Sequence, residues 1–106
     1  MSPVERCPID GDRLWDDLRR YSTLGGGAES GVNRLALGAG DKQTRDRLAE
    51  DGAAIGCSVR IDPIGNMYMR LAGKGSDRAP IQIGSHLDSG VWGGRYDGVY
   101  GACSSR

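Results

Sequence analysis

The sequence contains no phenylalanine and only one histidine, and aromatic residues make up 6% of its 106 residues. Hydrophobic residues account for 38%, which is little for a core built from helices and a sheet. A chain of this length buries only about 60–65% of the surface that it exposes when unfolded. The composition therefore predicts no more than one domain, of marginal stability.

Charge of one sign is not in excess, since 14 basic residues balance 14 acidic ones. The basic residues form no cluster of the kind that binds nucleic acid or an anionic membrane. No stretch of eighteen apolar residues occurs, and the first residues lack the apolar run of a signal peptide. We therefore expect a soluble, cytoplasmic protein that acts on a small molecule and binds neither nucleic acid nor a membrane.

Paired cysteines are also missing. Cys7, Cys57 and Cys103 are odd in number, and no two of them stand in a C-x-x-C spacing. The sequence therefore predicts three free thiols and neither a disulfide framework nor a zinc knuckle. A phosphate loop is not predicted either, because Ser30 stands where a G-x-G-x-x-G motif that begins at Gly25 needs a glycine.

Apolar residues at helical spacing predict two helices in the first half of the chain. The first spans residues 9–21, with Asp10 or Asp12 as its N-cap. The second begins at Asp41, its predicted N-cap, and ends at residue 54 or 55. The glycine-rich stretch 25–40 between them is predicted to be a loop that the apolar residues 32–37 attach to the core.

The apolar period then changes to that of strands. Residues 57–62 and 67–71 alternate on either side of a turn sequence, which predicts a β-hairpin. Residues 80–85 predict a short, largely buried strand that carries His86 at its carboxyl end. This order predicts an α/β fold with a mixed sheet and flanking helices. In open α/β sheets ligands bind beyond the carboxyl ends of the strands.

The stretch from Gly84 to Gly98 carries the residues suited to chemistry. Asp88 follows His86 by two positions, so that in an extended segment both side chains point the same way. A carboxylate placed there can accept the second N–H of a metal-bound imidazole. Glycines before Asp97 allow the chain to turn back, so that this carboxylate could bridge two ions. The pattern leaves two interpretations open, a metal site or a strand with a glycine-rich turn.

Two motifs in this stretch carry a family resemblance. Gly-Ser-His-Leu-Asp-Ser at 84–89 and Gly-Gly-Arg-Tyr-Asp-Gly at 93–98 resemble the first metal-binding motif of one branch of the M20-type zinc-peptidase superfamily. This amidase/hydantoinase-carbamoylase branch includes N-carbamoyl-L-amino-acid hydrolases, β-ureidopropionases and allantoate amidohydrolases. The segments 33–37 and 59–66 also resemble its amino-terminal region, so that the resemblance covers about residues 12–101.

The resemblance implies a metal-dependent amidohydrolase with a zinc-peptidase-like catalytic domain. Its substrates would be linear amide or ureido compounds, above all N-carbamoyl-L-amino acids, and its cofactors two divalent ions of zinc, manganese, cobalt or nickel. His86 would bind one ion, Asp97 would bridge both, and Asp88 would orient His86. The Gly-Gly-x-x-Asp-Gly form favours the carbamoyl and ureido amidases, and a dipeptidase or carboxypeptidase of the same superfamily is the alternative.

Residues 1–106 resemble only the amino-terminal part of such a catalytic domain. The lid and dimerisation domain of the homodimeric full-length family, the glutamate base and the further histidine ligands have no counterpart in the sequence. After Gly98 the chain turns polar where the family continues as an apolar helix, which predicts a truncation or frameshift near Gly101. We therefore expect weak or absent metal binding and no activity from this chain alone. A non-catalytic remnant or binding fragment is the alternative.

Overall fold

The first helix, α1, spans Gly11–Ser22 in a computed structural model that describes residues 9–25, 31–75 and 77–105. Asp10 has an extended backbone and caps the helix, because its side chain accepts the N–H of Arg13 at 3.0 Å. Leu18 and Tyr21 on one face of the helix are buried. The predicted first helix is confirmed, with Asp10 rather than Asp12 as its N-cap.

The second helix, α2, spans Ala39–Ala54 and has Gly38 as its N-cap. The prediction that Asp41 caps this helix is wrong, because the chain turns upstream at Leu37, which has a φ of 69°. Asp41 instead lies in the first turn, where its carboxylate accepts the N–H of Leu37 at 3.0 Å. A carboxylate at this position also interacts favourably with the positive end of the helix dipole.

The β-hairpin predicted from residues 57–71 is confirmed. Strands β1 (Ser58–Ile61) and β2 (Met67–Arg70) pair antiparallel, with Ser58 opposite Arg70. Gly52 on α2 allows the hairpin to pack closely, because a Cβ there would lie 2.5 Å from Sδ of Met69. The glycine weakens the helix, but its missing side chain makes room for β2.

The prediction of a buried strand over residues 80–85 is wrong. These residues have no regular structure, and Ile81 and Ile83 are 97% and 70% exposed. A strand needs a hydrogen-bonded neighbour, and the sheet formed by the described residues consists of β1 and β2 alone. The α/β class is confirmed, but the parallel pairing that a mixed sheet requires is not formed in this part of the chain.

A third helix, α3, spans Val99–Ser104, in the stretch that was expected to turn polar after Gly98. Val99 and Cys103 on this helix are 0% and 1% exposed and pack with α1 and α2 residues in the core. The expectation of a polar segment is therefore corrected, whereas the truncation or frameshift near Gly101 stays a prediction. The core cluster comprises Leu18, Tyr21, Leu48, Val99 and Cys103.

The prediction of a free thiol is confirmed at Cys57. Cys103 is buried, and Cys7 lies outside the described residues. None of the helices in the described ranges is long and apolar enough to cross a membrane.

A buried and an exposed leucine, Leu48 and Leu37, test the position of the core. Leu48 is 7% exposed, and Leu37 is 93% exposed. We expect Leu48→Ala to lower the free energy of unfolding by about 2–5 kcal/mol, because it removes buried methyl groups and leaves a cavity. Leu37→Ala is the matched control and should change it by less than about 0.5 kcal/mol. Urea denaturation measures both, and equal effects would contradict this core.

The hairpin turn makes stability depend on pH through Asp62. Its Oδ1 accepts the N–H groups of Ile64 and Asn66, and its Oδ2 accepts the side-chain amide of Asn66 at 2.9 Å. The hydrogen bond from the Asn66 side chain, with help from the backbone amides, holds the pKa of Asp62 below its ordinary value. The resulting stabilisation is therefore present above the unfolded-state pKa of about 3.9 and is lost as the pH falls through the lower folded-state pKa.

We expect Asp62→Asn to lower the melting temperature at pH 7, and the difference from the wild type to shrink as Asp62 becomes protonated at low pH. The control is Asp46→Asn, which removes an exposed carboxylate of α2 that pairs only with Lys42 at the surface. Thermal melts monitored by circular dichroism at several pH values give the comparison. A difference that stays constant down to pH 2 would count against the contribution of the Asp62 carboxylate.

Candidate metal centre

His86 and Asp88 contact each other as their spacing predicts. Nδ1 of His86 lies 3.1 Å from Oδ1 of Asp88 and also 3.1 Å from the backbone oxygen of Asp88. Both neighbours are acceptors, so the geometry assigns the ring hydrogen to Nδ1. The lone pair of a neutral imidazole then resides on Nε2, the nitrogen on the opposite edge of the ring.

Asp97 lies on the Nε2 side of the imidazole. Its Oδ2 is 3.8 Å from Nε2, which is too long for a hydrogen bond. A zinc ion binds histidine nitrogen at about 2.0–2.1 Å and carboxylate oxygen at about 2.0–2.2 Å, so one ion can reach both atoms across this gap. The spacing of His86 and Asp97 therefore fits a pair of metal ligands.

These residues do not form a complete set of metal ligands. In the ranges that the structure describes, no group of three or more histidine, cysteine, aspartate or glutamate side chains is arranged to hold an ion. Asp88 does not count as a third donor, because it contacts Nδ1 and lies away from the gap between His86 and Asp97. The side chains are also open to solvent, since those of His86 and Asp97 are 51% and 77% exposed. Zinc sites in proteins usually have three or four protein ligands.

Gly98 determines how closely the chain approaches the imidazole. It is the N-cap of α3 with a φ of 73°, and a Cβ built there would lie 2.5 Å from Nδ1, Cε1 and the carbonyl oxygen of His86. Ser85, the residue before His86, donates its hydroxyl to the carbonyl of Gly98 at 2.7 Å. A Cβ at Gly101 would meet Ser85 in turn, at 2.7 Å from its hydroxyl. Gly98 and Gly101 have no side chains, so Ser85 and His86 pack directly against the backbone at the start of α3.

A second segment holds the site from the other side. Val32 and Gly93 exchange two backbone hydrogen bonds of 2.9 Å each. Ser89 donates its N–H to the carbonyl of Arg34 at 2.7 Å and accepts the N–H of Arg34 at its hydroxyl, at 2.9 Å. Val32 is fully buried as predicted, but Leu35 and Leu37, which were also expected to attach the loop to the core, are 48% and 93% exposed. Residues 32–34 therefore run beside residues 89–93 and fix the start of the turn between Asp88 and Asp97.

Sequence reasoning missed Arg34, which is 1% exposed and donates hydrogen bonds to three carbonyl groups. The signal that could have found Arg34 was its place in the segment 33–37, which carries part of the family resemblance.

Two residues between Asp88 and Asp97 attach the loop to α1. Tyr96 packs on Trp15 with ring centroids 5.9 Å apart, and Arg95 donates to the carbonyl of Ser22 at 3.3 Å. Trp92 is 59% exposed.

The helices, the hairpin and the glycine-rich loop together form a small α/β structure. The chain is similar to solved structures of hydantoinase/carbamoylase-family amidases from Burkholderia vietnamiensis and Burkholderia multivorans. Both superpose with a TM-score of 0.86 over 90% of this chain and 23% of theirs, at 46% and 44% sequence identity. No protein-family model matches the chain.

Named relatives agree with the solved structures. An N-carbamoyl-L-amino-acid amidohydrolase of Rhizobium meliloti is 36% identical over 103 residues, which are 97% of this chain and 25% of the relative. An allantoate amidohydrolase of Bacillus subtilis (strain 168) is 33% identical over 92 residues, which are 87% of this chain and 22% of the relative. The chain thus spans about a quarter of the length of these relatives. The resemblance is confirmed, and the chain is a homologue of the hydantoinase/carbamoylase amidases.

Two glycines of the loop give a matched test of the packing against His86. We expect Gly98→Ala to lower the free energy of unfolding by about 1–3 kcal/mol, because it combines a positive φ with a Cβ that overlaps His86. The imidazole must move as well, so its proton and nitrogen NMR signals should shift. Gly90→Ala is the control, since a Cβ there meets nothing within 4 Å. Unchanged His86 signals in Gly98→Ala would contradict the close packing.

Proposed function

We propose that this chain is part of a metal-dependent amidohydrolase that cleaves linear amide and ureido C–N bonds, with N-carbamoyl-L-amino acids as its substrates. The observation that carries the proposal is the meeting of His86, Asp88 and Asp97 in one loop, with an imidazole nitrogen and a carboxylate oxygen 3.8 Å apart. The names and folds of the homologues support the choice of reaction. The relatives that act on allantoate are consistent with the same bond type.

In this proposal Nε2 of His86 and the carboxylate of Asp97 are the groups that would hold the metal, with Asp97 as the ligand that the two ions would share. Bound divalent ions supply a Lewis acid for the substrate carbonyl and a water molecule that is deprotonated near neutral pH. Asp88 is a positioning residue, because its carboxylate keeps the proton on Nδ1 and thereby keeps Nε2 free to bind. A carboxylate partner of this kind also makes the imidazole a stronger ligand.

We further propose that the 106-residue chain does not catalyse the reaction by itself. His86 and Asp97 supply two donors at an exposed position, fewer than the three protein ligands of a catalytic zinc site. In the described residues no other histidine, cysteine or carboxylate completes the set. Metal binding by this chain should accordingly be weak.

Metal binding can be followed at a single imidazole, because His86 is the only histidine of the sequence. We expect zinc added to the 15N-labelled chain to shift the Nε2 resonance, while Nδ1 keeps its proton. Asp88→Asn should weaken zinc binding by about 10-fold or more, as is usual when the hydrogen-bond partner of a ligand is lost. Asp97→Asn should weaken it at least as much, because it removes a ligand.

The control for both variants is Asp46→Asn, whose carboxylate lies on the exposed surface of α2. It should leave the zinc affinity unchanged. Binding through Nδ1, or equal affinity in the wild type and Asp97→Asn, would overturn the proposed ligand set.

Activity is tested by the release of ammonia from N-carbamoyl-L-amino acids in the presence of manganese or zinc. Water adds to the carbamoyl carbon and the amino acid leaves. The carbamate that forms then breaks down to ammonia and carbon dioxide. We expect no turnover by the chain alone. Turnover that is lost in His86→Ala would refute the proposed inactivity, and cleavage of dipeptides would assign the chain to the peptidases instead.

A further inference from the structure

Arg34 is the largest of the fully buried side chains in the described part of the molecule. It lies outside regular structure, in the segment between α1 and α2. Its Nη1 donates to the carbonyls of Tyr21 and Leu24, at 2.9 and 2.6 Å. Its Nε donates to the carbonyl of Leu87 at 2.8 Å. One guanidinium group therefore joins the carboxyl-terminal end of α1 to the segment that carries His86.

The third contact is the one that concerns the site. Leu87 stands between His86 and Asp88, so its carbonyl belongs to the peptide that links them. The orientation of this peptide determines how the two side chains face each other. Hydrogen bonds from a charged guanidinium are stronger than those between neutral groups. The bond from Arg34 therefore restricts rotation of the Leu87 peptide.

The other two contacts fix the guanidinium itself. The carbonyls at the end of a helix have no partner within the helix, and they carry the negative end of its dipole. Arg34 uses this end of α1 as a base for the bond to Leu87. Its own backbone is held by Ser89 through two hydrogen bonds. Arg34 thus contacts the site segment directly before and directly after Asp88.

Burial of a charged group is costly, and no carboxylate of the described residues lies within hydrogen-bond distance of this one. Burial lowers the pKa of the Arg34 guanidinium, while the negative charges of Asp41 and Asp88 favour its charged form. Three carbonyl oxygens also accept hydrogen bonds from the guanidinium. A buried cation that is balanced in this way needs those carbonyls to stay in place, and one of them lies within the site.

We propose that Arg34 is a positioning residue for the His86–Asp88 pair, because its guanidinium holds the carbonyl of Leu87 and so fixes how the imidazole faces the carboxylate. The proposal concerns the geometry of the pair. Only its consequence for metal affinity rests on the proposed function.

Arginine suits this role because of the shape of its side chain. The guanidinium is planar and donates from Nε as well as from its terminal nitrogens, so it can bind carbonyls on two sides at once. Lysine carries the same charge, but its only donor is the terminal Nζ and it has no counterpart of the arginine Nε. Arg34→Lys therefore keeps the charge and removes the bond that reaches Leu87.

The test compares 15N spectra of His86 in the metal-free chain, where its signals are the only imidazole signals. In the wild type we expect one dominant tautomer with the proton on Nδ1. In Arg34→Lys and Arg34→Gln we expect the two nitrogen shifts to move towards each other, because the imidazole no longer has a fixed partner. Zinc affinity should fall about 10-fold, like the loss of any group that orients a ligand.

The control variant is Arg45→Lys, which changes a partly buried arginine. Its Nη2 donates at 2.6 Å to the carbonyl of Gly65 in the hairpin turn, away from the site. It should lower the melting temperature without moving the His86 signals. The same result for Arg34→Lys, a lower melting temperature with unchanged His86 shifts, would overturn the proposal and leave Arg34 a purely structural role.

Two variants are used because one of them can fail to fold. Whichever shows a cooperative thermal transition is the variant whose His86 shifts decide the matter. If neither folds, Arg34 supports the whole domain and the positioning proposal is overturned. A wild-type chain that binds no zinc would count against the proposed function, whereas the metal-free His86 spectrum would still decide the role of Arg34.

Discussion

The hydrogen bonds of the buried Arg34 guanidinium connect segments of the chain that are far apart in sequence. They connect the end of α1 with the loop after it and with the segment that carries His86. Neither of these latter segments has regular structure of its own, so their backbone groups depend on such partners. Backbone hydrogen bonds also fix the turn between Asp88 and Asp97, because Ser89 pairs with Arg34 and Gly93 pairs with Val32.

The distribution of apolar side chains shows how much of the fold these residues complete by themselves. A small core forms where α1, α2 and α3 meet, around Tyr21 and Val99. By contrast, Ile81 and Ile83 are mostly exposed, although their sequence is typical of a buried strand. The chain spans about a quarter of the length of its relatives, so a strand here has no parallel neighbour among the described residues. Residues 80–85 are apolar as a buried strand requires, but such a strand is buried only where a neighbouring strand or helix covers it.

Much of the local structure could be predicted from the sequence. The helix after Asp10, the hairpin around residues 62–66 and the contact between His86 and Asp88 all follow from spacing over a few residues. Local spacing failed where the outcome depended on distant partners. α2 begins upstream of Asp41, after the backbone turn at Leu37, and α3 forms where Val99 and Cys103 pack against core residues of α1 and α2.

The sequence by itself determined which residues are candidates for the chemistry and which proteins the chain resembles, because motifs such as those at 84–89 and 93–98 are local and specific. Only the tertiary structure placed Asp97 on the opposite edge of the imidazole from Asp88, so that His86 and Asp97 are the two candidate donors that face each other among the described residues. It alone also showed that Gly98 and Arg34 hold the His86 segment from two sides. The reason is physical, since contacts between residues that are far apart in the chain depend on how its segments pack, and no spacing within the sequence encodes that distance.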